Sequence, residues 1–289
     1  HYNGRTDGAC TGLVVLNAMT GEVIRTIPLP GGYDAGRGLG GVTLVRNEDK
    51  RIVAAYAGDA NGHLWRFDLR GAPATWGVSY GQPLFTTANN RPIYGAPAWQ
   101  SHPNGGAIVV VATGILLEDT DLAAPPENES IYGIWDPTRI GEADATPFTP
   151  AAVGDLLTQT VLTGSDTTLT SGSNTFFQSS RDAIDWNVHR GWTMALGRTP
   201  EHAGERSIDQ IRNLGTSVII ATAVVDQPLD PDAEMCSASS LPANYIYILN
   251  ALDGGTRRSF DVDGDGRLDN VSVVLVSEGG YARGMAVAN

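Results

Sequence analysis

Gly12-Leu-Val-Val-Leu-Asn-Ala-Met-Thr-Gly21 and Tyr245-Ile-Tyr-Ile-Leu-Asn-Ala-Leu-Asp-Gly254, near opposite ends of the chain, share one frame. Strand-length apolar residues run into Leu-Asn-Ala, a variable residue, Thr or Asp, and Gly. The Asn-to-Gly step predicts a hairpin turn, because glycine takes a positive φ without steric penalty. A second strand is expected after each turn, over residues 23–27 and 256–260. Gly62-His-Leu-Trp-Arg-Phe-Asp-Leu-Arg-Gly71 repeats the outline with Asp68 in place of the Asn. Further apolar or β-branched runs of strand length occupy residues 42–45, 52–56, 107–113, 217–225 and 271–276, each bounded by turn formers. Helical periodicity is confined to two weak candidates, residues 154–160 and 180–184. The chain reads as all-β.

Repeated strand–turn–strand units of this kind predict a modified β-propeller with quinoprotein-like blades and long irregular loops. The chain has 289 residues. At roughly 40–50 residues per blade it holds about six units. No linker divides it, so residues 1–289 are read as one domain. Polar, Pro-containing stretches at 119–130 and 226–244 are expected to be exposed loops. Thirty-five Gly and 16 Pro fit a body of short elements and many turns. Nineteen Lys+Arg against 32 Asp+Glu leave a net charge of −13. That argues against nucleic acid as partner, whose phosphates are bound by basic side chains, and against direct binding to an anionic membrane. The longest apolar run, around residues 107–112, is far too short to span a bilayer. Cys10 and Cys236 fit one long-range disulfide in an exported protein or two free buried thiols equally well.

The sharpest chemical signal is Asp261-Val-Asp-Gly-Asp-Gly-Arg-Leu-Asp269. It sets carboxylates at loop positions 1, 3, 5 and 9, with glycine at 6. Calcium takes six to eight hard oxygen ligands, and alternate residues of a tightly curled loop aim them at one point. Asp261, Asp263, Asp265 and Asp269 are the candidate side-chain ligands, and Arg267 is expected to contribute its backbone carbonyl. Without a cation, four crowded carboxylates repel one another. The loop departs from an EF-hand because Ser272 stands at position 12 and the flanks read as strands. Magnesium, which demands compact octahedral geometry, is disfavoured.

Other chemistry-bearing residues have structural readings. Tyr56, Trp65, Phe67 and Trp135 alternate along strands and are assigned to the core between blades. Asp59 and Asn61 flank a turn and are expected to bond its backbone. The five histidines (His1, His63, His102, His189, His202) lack metal-binding spacing and are read as mostly solvated. Asp182, Asp185 and Trp186 are assigned to loop packing. Gly36, Gly38, Gly40 and Gly41 are not followed by a phosphate-binding Lys. No Gly-x-Ser-x-Gly nucleophile turn is read in the chain, and no catalytic residue is expected.

Tyr56-Ala-Gly-Asp-Ala-Asn-Gly-His-Leu-Trp-Arg-Phe-Asp-Leu69 closely resembles a signature of the PilY/PilC-type type IV pilus tip-associated adhesins. Further similar segments follow in the family's order. They are Gly81-Gln-Pro-Leu-Phe85, Arg91-Pro-Ile-Tyr-Gly-Ala-Pro97, Thr113-Gly114 with Leu116-Leu-Glu-Asp119, and Ile131-Tyr-Gly-Ile-Trp-Asp136. Gly191-Trp192 with Gly204-Glu-Arg206 and Tyr247 to Gly254 complete the series. The resemblance implies a C-terminal propeller of a larger exported protein at the pilus tip, outer-membrane surface or periplasm of a Gram-negative bacterium. It implies a non-enzymatic role in pilus biogenesis, twitching motility and attachment to host or abiotic surfaces, with pilus minor pilins as partners. It also implies that calcium sets extension against retraction. Relatives often carry an Asp-rich loop before the Tyr56 strand, where this chain has Arg46-Asn-Glu-Asp-Lys-Arg51, which is no ligand ladder. A quinoprotein-like dehydrogenase and a carbohydrate-binding propeller are the alternatives on the same scaffold.

Overall fold

The structure, a computed structural model, describes residues 11–33, 38–117, 121, 129–197, 204–224 and 244–276. Its regular structure there is 22 β-strands and five 3-10 turns. The all-β propeller expectation holds. Leu39–Arg46, Ile52–Asp59, His63–Asp68 and Gly77–Val78 pair in that order, with Phe85–Thr86 also on His63–Asp68. A second sheet places Ala98–Ser101, Ala107–Ala112, Ser130–Asp136, Gly191–Ala195 and Leu156–Gln159 side by side, the last pair parallel. A third is built on Ser217–Val224, Asn244–Asn250, Val273–Val276 and Asn174–Ser179. Two hairpins, Gly12–Leu16 with Val23–Pro28 and Arg257–Phe260 with Asp269–Val271, complete the set.

The sheets stack face to face, and alternation along each strand feeds two cores. Ala107, Val109 and Val111 cluster with Ile134 of their own sheet and with Tyr56, Leu64 and Ile93. Ile108, Val110 and Ala112 cluster with Trp192 and Met194 of their own sheet and with Val218, Tyr245 and Tyr247 of the next. A third core, with Trp65, Phe67 and Ala57, closes against Ile27 and Leu29. A strand buried on both sides has no polar face, which is why residues 107–112 read as one apolar run. Side chains of Ala98–Ser101 reach backbone carbonyls of two other sheets. Trp99 Nε1 donates to Leu44 O at 3.4 Å, and Gln100 Nε2 to Ser217 O at 3.2 Å.

The repeated turn closes alike at both ends of the chain. Gly21 N donates to Asn17 O and Gly254 N to Asn250 O, each at 2.8 Å. Gly254 has φ 68°, and a Cβ there would stand 2.4 Å from the Trp192 ring. Gly133 approaches the other part of that indole, where a Cβ would lie 2.2 Å from Nε1.

Four expectations change. The first predicted helix is a single 3-10 turn, Val153–Asp155, running into the strand Leu156–Gln159. Asp155 Oδ2 accepts from Ala152 N at 2.8 Å and turns the chain straight into pairing with Gly191–Ala195. The second, residues 180–184, has no regular structure, because Gln159 engages its backbone at Asp182. The strand after Gly254 does not fold back on Asn244–Asn250. Arg257–Phe260 pairs across the acidic loop with Asp269–Val271. The polar stretches are not wholly exposed where described: Glu129 and Asn244 are buried. Most of both stretches, with Cys10 and Cys236, lies outside the described residues.

Candidate functional site

The hairpin Arg257–Phe260/Asp269–Val271, with Phe260 opposite Asp269, holds the acidic loop at its tip. Inside the loop each carboxylate folds the backbone around itself. Asp261 Oδ1 accepts from Gly264 N at 2.8 Å and Oδ2 from Gly266 N at 3.0 Å. Asp263 Oδ1 accepts from Asp265 N at 3.1 Å, and Asp265 Oδ1 from Arg267 N at 2.8 Å. Asp269 Oδ2 closes the base by accepting from Val262 N at 2.9 Å. Gly264 and Gly266 take φ 77° and 85°, which permits the tight curl. Asp261, Asp263 and Asp265 come together, each offering an oxygen within 4.8 Å of the others, and all three are exposed.

Counting acceptor sites separates this loop from an ordinary acidic turn. An ionised carboxylate has about four lone-pair positions. Asp59 uses all of its capacity internally. Its Oδ1 accepts from Asn61 N and His63 N, and its Oδ2 meets His63 Nδ1 and Trp65 Nε1, every contact at 2.8–2.9 Å. Asp263 and Asp265 each accept one such bond on one oxygen. Their remaining lone pairs are what a hard cation would use, and the all-oxygen donor set matches calcium. By contrast, the Arg46 to Arg51 segment is a closed turn. Asn47 Oδ1 accepts from Arg51 N at 2.9 Å, and Arg46 donates to Lys50 O at 3.1 Å.

The other predicted positions are structural. Tyr56, Trp65 and Phe67 are buried, and Trp135 is half-buried. The histidine expectation fails at His63 and His102. His63 sits against Asp59, Tyr33 and Trp65, while His102 is buried, stacked on Trp135 and edge-on to Trp186. Trp186 thus serves loop packing, and Asp185 caps its own turn through Asn187 N at 2.9 Å. His1 and His202 lie outside the described residues.

A buried polar network escaped the sequence reading. Asp136 accepts from Tyr56 Oη at 2.6 Å, Tyr80 Oη at 2.8 Å and Thr138 N at 2.9 Å. Arg66 Nε lies 3.0 Å from Asp136 Oδ2, an ion pair without hydrogen-bond alignment, and Nη1 donates to Asp144 at 2.6 Å. Burial, then the Asp136 charge, pushes the Tyr56 and Tyr80 hydroxyls above the usual phenol range. The expectation that no hydrolase nucleophile pattern occurs is wrong, because Gly77-Val-Ser-Tyr-Gly81 matches it. Here Ser79 is buried and accepts from Arg66 Nη1 at 2.5 Å, so its hydroxyl is committed to this network.

Sheets stacked over shared cores and bridged through Trp99 and Gln100, with an oxygen-rich loop at a hairpin tip, fit a β-propeller domain. The chain belongs to the PilY1 beta-propeller domain family, whose model matches residues 2–174. It is 29% identical over 293 residues to the type IV pilus biogenesis factor PilY1 of Pseudomonas aeruginosa, covering 90% of this chain and 24% of that protein. A homologue from Xylella fastidiosa is 27% identical, over 88% of this chain and 17% of its own length. The chain therefore spans about a quarter or less of these relatives. The crystal structure of the Pseudomonas aeruginosa PilY1 C-terminal domain superposes with a TM-score of 0.73 at 26% identity, over 92% of this chain and 61% of that one. Among the described residues no helix is long and apolar enough to cross a membrane.

Proposed function

We propose that the chain is the calcium-binding propeller of an exported, non-enzymatic type IV pilus biogenesis factor. It supports pilus extension against retraction, and with it twitching motility and surface attachment, working at the pilus tip with minor pilins. Residues 1–289 act as one domain. The carrying observation is the similarity to PilY1 along 90% of the chain. The metal reading is supported by the three converging carboxylates. In it Asp261, Asp263, Asp265 and Asp269 supply carboxylate oxygens and Arg267 a backbone carbonyl. Bound calcium neutralises the carboxylates and holds the hairpin shut. Deleting the full-length gene should remove surface pili or twitching, and the wild-type gene should restore both. A copy with Asp261, Asp263 and Asp265 changed to Asn should restore them incompletely. Full restoration by that copy would sink the calcium role, and unchanged piliation in the deletion would sink the pilus role.

A further inference from the structure

A cleft of about 500 Å³ lies at the root of the same hairpin, lined by Arg181, Thr256, Arg257, Arg258 and Asn270. Three of its five lining residues are arginine, in a chain with 32 acidic residues and 19 basic ones. Three other arginines meet carboxylates, Arg66 with Asp136 and Asp144, Arg70 with Asp68 and Arg91 with Glu129, whereas Arg190 donates to the Thr149 carbonyl. Among the described residues, Arg181, Arg257 and Arg258 form no ion pair. Asp253 is the carboxylate at hand, and its Oδ1 is engaged by Gly255 N at 2.9 Å.

The backbone fixes the arrangement. Asn270 stands directly across the ladder from Arg258, so both side chains rise from one face of the hairpin. Arg181 comes in from the segment after Asn174–Ser179, and its Cγ lies 3.2 Å from where a Gly255 Cβ would sit. A larger residue at 255 would press on it. Thr256 is 9% exposed, and its hydroxyl has no hydrogen-bond partner. Like charges gathered in one concave site repel one another, and surplus carboxylates elsewhere leave them unneutralised. Guanidinium forks match a planar or tetrahedral oxyanion in charge and geometry.

We propose that this cleft binds an oxyanion, either a carboxylate or a sulfate- or phosphate-type group, with Arg181 and Arg258 as principal charge partners and Asn270 as an auxiliary donor. The site is separate from the acidic loop and does not depend on the metal reading. The test titrates the whole chain with sodium sulfate and, separately, sodium succinate in millimolar calcium, following arginine Nε–H resonances. Saturable displacement is expected, with affinity reduced about tenfold or more in Arg258→Gln and in Arg181→Gln. Arg25→Gln, on the strand Val23–Pro28 and outside the cleft lining, should leave it unchanged. Tighter succinate binding identifies a carboxylate ligand, and tighter sulfate binding a tetrahedral one. Absence of saturation with both anions overturns the proposal, as does equal weakening by Arg25→Gln.

Discussion

Asp59 and Asp263 have the same chemistry and opposite uses, and the difference is how many acceptor sites the fold consumes. Asp59 is 1% exposed and meets four donors, two of them aromatic or imidazole nitrogens brought round by the strand His63–Asp68. Asp263 is exposed and accepts one backbone N–H. Isothermal titration with calcium should therefore give one binding event in the wild type. Asp263→Ala should weaken it about tenfold or more, near 1.4 kcal/mol. Asp269→Ala should do the same and also free Val262 N, so its loss should be at least as large. Identical isotherms for all three proteins would remove the loop from consideration. The ligand ladder was legible because carboxylates at alternate positions are a local pattern. The Asp136 network was not, since its partners come from positions 56, 66 and 80, and only folding unites them. Gly133 makes the same point from packing. Ala at 133 would drive a methyl into the buried Trp192 indole, so Gly133→Ala should destabilise by about 1–3 kcal/mol in urea denaturation.

At the level of elements, turns were readable and partners were not. The Asn-to-Gly turn closes as its sequence dictates, yet Arg257–Phe260 leaves its preceding strand to pair across the acidic loop. Nothing in residues 256–260 specifies that choice, which depends on the loop curling through Gly264 and Gly266. If calcium binds the folded loop and not the open one, it stabilises the hairpin by mass action. Amide exchange over residues 257–271 should then slow with calcium and quicken with chelator, while the Gly12–Leu16 hairpin stays unchanged. Equal protection in both conditions would decouple the metal from the hairpin. The turn after Ala98–Ser101 offers a pH-dependent counterpart. His102 Nδ1 accepts from Asn104 N at 3.1 Å, which requires the neutral ring, and burial holds its pKa below the ordinary value. The unfolded chain takes up a proton near pH 6.5 that the folded chain resists. Stability is thus complete above that pH and declines as pH falls below it. The urea midpoint should drop on acidification from about pH 7.5 to about pH 5, and drop less in His102→Phe. Parallel pH profiles would show that His102 contributes nothing to the acid sensitivity.

Across the whole molecule, three cores lie between successive sheets, so each sheet is stable only in the company of its neighbours. The all-β class was legible from strand-length runs between turn formers, because burial on both faces writes continuous apolar stretches such as residues 107–112. The joining of sheets was less so, because part of it is polar. Tyr56 and Arg66 belong to one sheet and Asp136 to the next, and all three are buried. Apolar contacts slide, whereas an ion pair with two phenolic donors fixes one sheet's position on the other. Burial works most strongly against the Arg66 charge, and Asp136, Tyr56, Asp144 and Tyr80 together outweigh it, so the guanidinium stays protonated. Arg66→Met would leave Asp136 a buried carboxylate without its cation and should cost about 3–5 kcal/mol. Asp136→Asn keeps an oxygen acceptor for the hydroxyls but strands the guanidinium instead. If the pair is a clamp, removing both charges should cost clearly less than the sum of the single losses, with a coupling of more than about 1 kcal/mol. Denaturant unfolding of the two single variants and the double variant measures that coupling directly. Additive losses would mean that apolar packing alone sets how these two sheets meet.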